Sequence, residues 1–148
     1  MGHMRKYSSL QHIAFYAGPV LIYAMLIFYL SSLSRLPEEV PSFYGFDKLA
    51  HFLEYYVFGW LIYRWLGHAK RPFLQAHAFL LTIFIGIGYG LSDEWHQSFV
   101  QGRDSTLWDA LFDAIGVAAA AFTFRFARGR ITHFPGRWKN AWNEWRRS

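Results

Sequence analysis

Apolar residues fall in four blocks along the chain, separated by short stretches where charges, prolines and glycines concentrate. The first block, residues 10–33, contains no charged side chain. At a rise of about 1.5 Å per residue, a helix of that length crosses the roughly 30 Å hydrocarbon core of a bilayer with some tilt. Its apolar stretch is longer than that of a signal peptide and no small-x-small cleavage site follows, so it reads as an uncleaved span despite Arg5 and Lys6 ahead of it. The second block, 49–66, carries His51 and Glu54 near its start and Arg64 near its end. Pro72 suits a first helical turn and opens a third block, 73–91, whose helix is predicted to continue through Gln97. The fourth, 107–126, has Asp109 and Asp113 in its first two turns. Short connections between long apolar helices predict an all-α integral membrane protein built as an antiparallel four-helix bundle. The bundle occupies 10–126, after a cytoplasmic segment 1–9 and before a basic, tryptophan-rich tail 127–148. Met1-Gly2-His3-Met4 reads as a cloning scar ahead of a start at Met4, so His3 takes no part in site arguments.

Composition agrees with that class. In 148 residues, 53% are hydrophobic and 21% aromatic, too little polar material to cover a soluble domain of this size. A disordered chain is excluded on the same ground. The chain has no cysteine, which removes disulfides, thiolate metal sites and cysteine nucleophiles and leaves His, Asp and Glu for chemistry. The net charge of +5 looks like a nucleic-acid binder's until it is mapped. With the N-terminus cytoplasmic, Arg5, Lys6, Arg64, Lys70, Arg71, Arg125, Arg128, Arg130, Arg137, Lys139, Arg146 and Arg147 share the cytoplasmic side. Glu38, Glu39, Asp47, Glu54, Asp93, Glu94, Asp104, Asp109 and Asp113 fall at the other side or just within the membrane there. That is a positive-inside pattern, which places both termini in the cytoplasm and accounts for the basic charge without nucleic acid. In the tail, Trp138, Trp142 and Trp145 recur at i, i+4, i+7 among basic residues, as in an amphipathic helix lying in the cytoplasmic interface.

The candidate chemistry sits at the outer ends of three helices. Asp47, His51 and Glu54 are spaced i, i+4, i+7 with Lys48 beside them; Asp93, Glu94, His96 and Gln97 close the third helix; Asp109 and Asp113 share a face with Gly116 and Ala120. Small residues there and at Gly86 and Gly90 allow backbones to approach. Ionisable groups inside a span cost a few kcal/mol each, so three helices carrying them point to a working site. The plain alternative is a polar network that only holds helices together, with Asp47 as an N-cap and Thr106-Leu107-Trp108-Asp109 as a capping box. Glu54 and Asp113 lie about two turns into their helices, beyond the reach of capping. Arg103, in the loop before the fourth block, suits either bidentate capture of a phosphate or carboxylate or a salt bridge to Asp104, Asp93 or Glu94. Lys48 reads as a second phosphate contact or a surface cation. His51-x-x-Glu54 and Asp93-x-x-His96 have the i, i+3 spacing of ligands in di-metal bundles, which leaves metal binding open and selects no cofactor. His68, His77 and His133 fall outside the cluster and read as ordinary polar or interfacial residues.

Three segments carry a family resemblance: Asp47-Lys48-Leu49-Ala50-His51-Phe52-Leu53-Glu54-Tyr55, Tyr89-Gly90-Leu91-Ser92-Asp93-Glu94-Trp95-His96-Gln97, and Gly102-Arg103 with Asp109 and Asp113-Ala114-Ile115-Gly116. Together they resemble the VanZ-like family of small membrane proteins, named for a protein associated with glycopeptide resistance, to teicoplanin in particular. The likeness covers residues 47–116; at Asp113 the family more often has asparagine. It implies a multi-pass protein of the bacterial plasma membrane whose polar cluster is the working part, and it implies no particular reaction. Three classes of function fit. One is an outer-face site for an anionic envelope lipid, lipid-linked precursor or surface glycan, with His51, Glu54, Asp93, Glu94 and His96 as acid–base candidates and Asp47, Lys48, Gln97, Arg103, Asp109 and Asp113 as ligand contacts. Another is a non-enzymatic protein that binds or shields such a precursor or a glycopeptide antibiotic. The third is an ion- or proton-coupled transporter, for which a homo-oligomer would supply the room that four spans lack.

Overall fold

A computed structural model describes residues 9–34, 45–103 and 105–132. Residues 1–8, the segment with Arg35, Glu38 and Glu39, Asp104, and everything after 132, including His133 and the Trp138, Trp142 and Trp145 series, lie outside the described residues. The described chain is helical, with α1 at Ser9–Ser31, α2 at Phe46–Gly67, α3 at Pro72–Ala76, α4 at Ala78–Gln97 and α5 at Leu107–Thr132. No strand occurs among the described residues.

The third block is two helices, not one. Pro72 starts α3 as the sequence predicts, but His77 takes φ −103° and ψ 12° between α3 and α4. Its Nδ1 lies 2.9 Å from the Phe73 carbonyl and its ring lies tilted against the Phe73 ring, centroids 4.3 Å apart. A side chain that turns back onto the preceding turn competes with helix continuation. The other boundaries follow local chemistry. Gly45, at φ 90°, turns the chain into α2, and Thr106 opens α5 by accepting the Asp109 N–H at 3.3 Å.

Contacts set the chain directions. Near the ends of α1 and α4, Ser31 donates to Asp93, and farther back along both helices Tyr89 donates to the Ala24 carbonyl, so these helices run the same way. Near the starts of α2 and α5 His51 meets Asp113, and farther along both Tyr56 meets Thr123, so these two run together as well. Arg64 near the end of α2 donates to the Phe15 carbonyl near the start of α1, which makes the two pairs opposed. The helix α2 is central, touching α1, α4 and α5; α1 and α5 do not touch each other among the described residues. Tyr55, Phe58, Ile62 and Leu66 form its buried stripe, joined by Ile27 from α1 and Val117 from α5.

The closest approach is between α2 and α5. A Cβ on Gly116 would lie 2.4 Å from the Phe52 carbonyl oxygen and 3.0 Å from the Tyr56 nitrogen, so only glycine admits this contact.

Outside and inside are inverted relative to a water-soluble protein. Phe84 is 79% exposed and Phe126 69%, while Asp113 is 1% exposed. Two helices are long and apolar enough to cross a membrane, Leu10–Ser31 and Leu107–Ala127, with 17% and 28% of their most apolar stretches buried. Buried shares that small do not describe core helices of a soluble domain, and α1 is tied into the fold through Ile27 and Ser31. The sequence pattern anticipates four spans where two helices qualify, because α2 and α4 carry their ionisable residues within or beside the apolar stretch.

Candidate functional site

The end of α1, the start of α2, the end of α4 and the start of α5 meet at one end of the molecule, and the polar residues of all four meet there. Asp47 lies in the first turn of α2, but the N-cap is Gly45, so the capping role considered for Asp47 is not the one it has. Instead it is exposed and takes a 2.9 Å ion pair from Lys48, whose ammonium also reaches Asp109 on α5. Lys48 stands just ahead of the apolar stretch of α2. Burial alone lowers an ammonium's pKa, but the hydrogen bonds to Asp109 and Asp47 outweigh it and hold Lys48 above its ordinary value.

His51, one turn on, is the hub. Its Nδ1 is 2.9 Å from Asp113 Oδ1 and 3.9 Å from Glu94 Oε1, while its Nε2 is 3.9 Å from Asp47 Oδ1 and 4.0 Å from Asp109 Oδ1. One imidazole therefore faces four carboxylates from three helices. Asp109 also receives the Thr106 hydroxyl at 2.6 Å while its N–H goes to that same hydroxyl oxygen, so one half of the capping box read at Thr106 and Asp109 is formed and the carboxylate serves the cluster as well. Glu94 accepts the Ser105 hydroxyl on Oε2 at 2.8 Å. Its Oε1, the Asp113 Oδ2 and the Tyr55 hydroxyl are buried with no hydrogen-bond partner. Glu54, half-buried, interacts electrostatically with His51, Asp93, Asp113 and Arg103.

Asp93, His96 and Gln97 face elsewhere. Asp93 accepts from Ser31 at 2.6 Å and from Gln97 at 3.0 Å, and His96 pairs with Ser32 at 3.0 Å and stacks on Phe28 at 4.5 Å. Two positions along a helix is about 200°, so Glu94 turns toward His51 while His96 turns toward α1. The i, i+3 pairs noted as metal-like spacings thus do not assemble with each other. The groups whose donor atoms lie within 4.8 Å of one another are Asp47, His51 and Asp109, and His51, Glu94 and Asp113. Sequence reasoning missed Ser31, Ser32 and Ser105, whose only signal is hydroxyls beside helix ends, and Tyr55, which reads as core.

Arg103 donates from Nε to the Leu33 carbonyl at 3.1 Å and from Nη2 to the Leu30 carbonyl at 2.7 Å. Carbonyls at a helix C-terminus lack intrahelical donors, so a guanidinium there caps α1, and any anion would have to use its remaining N–H groups. Gly102, at φ 84°, turns the loop so that this happens; a Cβ there would lie 2.8 Å from the Ser34 oxygen. Arg103→Ala is expected to lower stability by about 1–3 kcal/mol, with Arg103→Lys recovering part of it. Thermal unfolding in detergent checks this, and an unchanged midpoint for Arg103→Ala would remove the capping role.

Beside the cluster, between the starts of α2 and α5, lies a groove of about 500 Å³ lined by Gly45, Lys48, Leu49, Phe52, Trp108 and Phe112. It is apolar along its walls and has one cationic group, Lys48. An apolar groove with an ammonium at its edge has the chemistry to take an anionic amphiphile.

No curated protein and no solved structure matches the chain. A family model does, VanZ/LLP1, over residues 4–128, which takes in every residue of the cluster and the groove. By that match the chain belongs to the VanZ/LLP1 family.

Proposed function

We propose that this protein is a four-span bundle of the bacterial plasma membrane, with both termini cytoplasmic, that binds an anionic envelope lipid or lipid-linked precursor on its outer face. The observation that carries the reading is the groove beside the His51 cluster. Leu49, Phe52, Trp108 and Phe112 suit an isoprenoid or acyl chain, and Lys48 suits its phosphate, since an ammonium has three donors and Asp47 and Asp109 take two. Orientation is supported by charge: Arg64, Lys70, Arg71 and Arg125 lie toward the end opposite the carboxylates, as for a cytoplasmic face. A teicoplanin phenotype of the kind the family is named for would follow from altering or masking a lipid-linked target.

The lack of cysteines provides a clean test. Trp108→Cys, on the groove wall, should react with a membrane-impermeant maleimide in intact cells. In detergent, polyprenyl phosphate at about ten times its Kd should slow that labelling roughly tenfold, and Lys48→Ala should abolish the protection. Labelling confined to inverted vesicles would overturn the orientation. Labelling that polyprenyl phosphate does not slow would overturn the lipid groove.

A further inference from the structure

We infer that His51, Glu94 and Asp113 bind one divalent transition-metal ion, zinc being the best fit. The inference goes beyond the lipid reading and does not depend on what fills the groove. The donor atoms are already gathered: His51 Nδ1 is 2.9 Å from Asp113 Oδ1 and 3.9 Å from Glu94 Oε1. Those spacings bracket the roughly 3.3–3.6 Å that a tetrahedral ion with ordinary nitrogen and oxygen bonds imposes on neighbouring ligands. Small side-chain rotations close the difference, and the three ligands come from α2, α4 and α5, each held by its own helix.

A second observation points to a cation and not merely to an acidic cluster. Glu94 and Asp113 are 7% and 1% exposed, and Glu94 Oε1 and Asp113 Oδ2 have no donor. Glu94 Oε1 is the oxygen directed at His51 Nδ1. Buried acceptors without donors are costly, and a metal ion taken by Glu94 Oε1 and by Asp113 through both its oxygens satisfies the two carboxylates while cancelling their charge. The surroundings fit the role. His51 Nε2, on the far side of the ring, lies 4.0 Å from Asp109 and 3.9 Å from Asp47, longer than a hydrogen bond but close enough for a small ring rotation to give its N–H to a carboxylate, as a metal-bound imidazole requires. Lys48 offsets the charge of those two outer carboxylates, and the Ser105 hydroxyl holds the other oxygen of Glu94. A mixed imidazole and carboxylate set favours zinc, manganese or iron over calcium or magnesium, and three protein ligands leave a position for water or a bound phosphate.

The test uses the full chain in detergent, stripped with a chelator and titrated calorimetrically with Zn²⁺ and Mn²⁺. The expected result is one Zn²⁺ per chain with a Kd of about 1 µM or tighter, and a higher unfolding temperature when the ion is present. His51→Ala, Glu94→Gln and Asp113→Asn should each weaken Zn²⁺ binding at least about tenfold, whereas His96→Ala, on the α1 side, should leave it within about threefold. Wild-type protein that binds neither ion below about 100 µM overturns the site whether or not the variants fold. So does tight binding that survives His51→Ala and Glu94→Gln. If Asp47→Asn weakens binding as much as His51→Ala, the ion uses the Nε2 side with Asp47 and Asp109, and the assignment made here is wrong.

Discussion

Gly116→Val is expected to leave little folded protein, and Gly116→Ala to lose about 3 kcal/mol, the upper part of the usual range for overpacking. The Cβ of either residue would sit 2.4 Å from the Phe52 carbonyl oxygen and 3.0 Å from the Tyr56 nitrogen. Both are backbone atoms in the middle of α2, so neither can rotate aside, and α5 must move away from α2 as a body. That movement also draws Asp109 and Asp113 away from Lys48 and His51, so the site should fail together with the fold. Gly88 is the control, because a Cβ there meets nothing within 4 Å. Gly88→Ala should be neutral or stabilising by up to about 1 kcal/mol through helix propensity. Unfolding in mixed micelles followed by circular dichroism measures both. Equal stability of Gly116→Ala and wild type would mean that α2 and α5 are not in backbone contact.

His51→Ala carries the second large effect, a loss of about 3–5 kcal/mol, as is usual when one partner of a buried charged network is removed. Its imidazole is the group that Asp113 bonds and that Glu94 and Asp109 face, and alanine leaves those carboxylates against one another. The diagnostic is non-additivity. Asp113→Asn removes one of the like charges, so the double variant His51→Ala with Asp113→Asn should be more stable than the sum of the single losses predicts, by about 1–3 kcal/mol. Additive losses would show that His51 and Asp113 act separately, despite their 2.9 Å contact.

Much of the architecture is legible along the chain. Long apolar stretches announce α1, α2 and α5, Pro72 and Thr106 mark where the third block and α5 open, and the helix ends at Gln97 where it is predicted to, whereas the N-cap of α2 is Gly45 and not Asp47. The break at His77 is not legible, because it depends on a histidine folding back on the preceding turn, which hydrophobic period does not register. The small face of α5 at Gly116 and Ala120 is visible in the sequence, and its partner, the backbone of α2 at Phe52, is not.

The candidate site divides in the same way. Periodicity identifies the helix face on which Asp47, His51 and Glu54 or Asp109 and Asp113 lie, and the antiparallel course brings those helix ends together. Such patterns are enough for helices throughout the described residues, an apolar exterior and a polar cluster at one end, since these depend on local period and on the cost of charge away from water. It takes the packed helices to show that His51, and not His96, stands among the carboxylates, that Asp93 and Gln97 of α4 turn toward Ser31 of α1, and that Arg103 caps a helix. The difference is rotational: sequence spacing sets angles around one helix axis, whereas partners depend on how each helix is turned toward its neighbours, and close backbone approaches such as Gly116 to Phe52 set that turn.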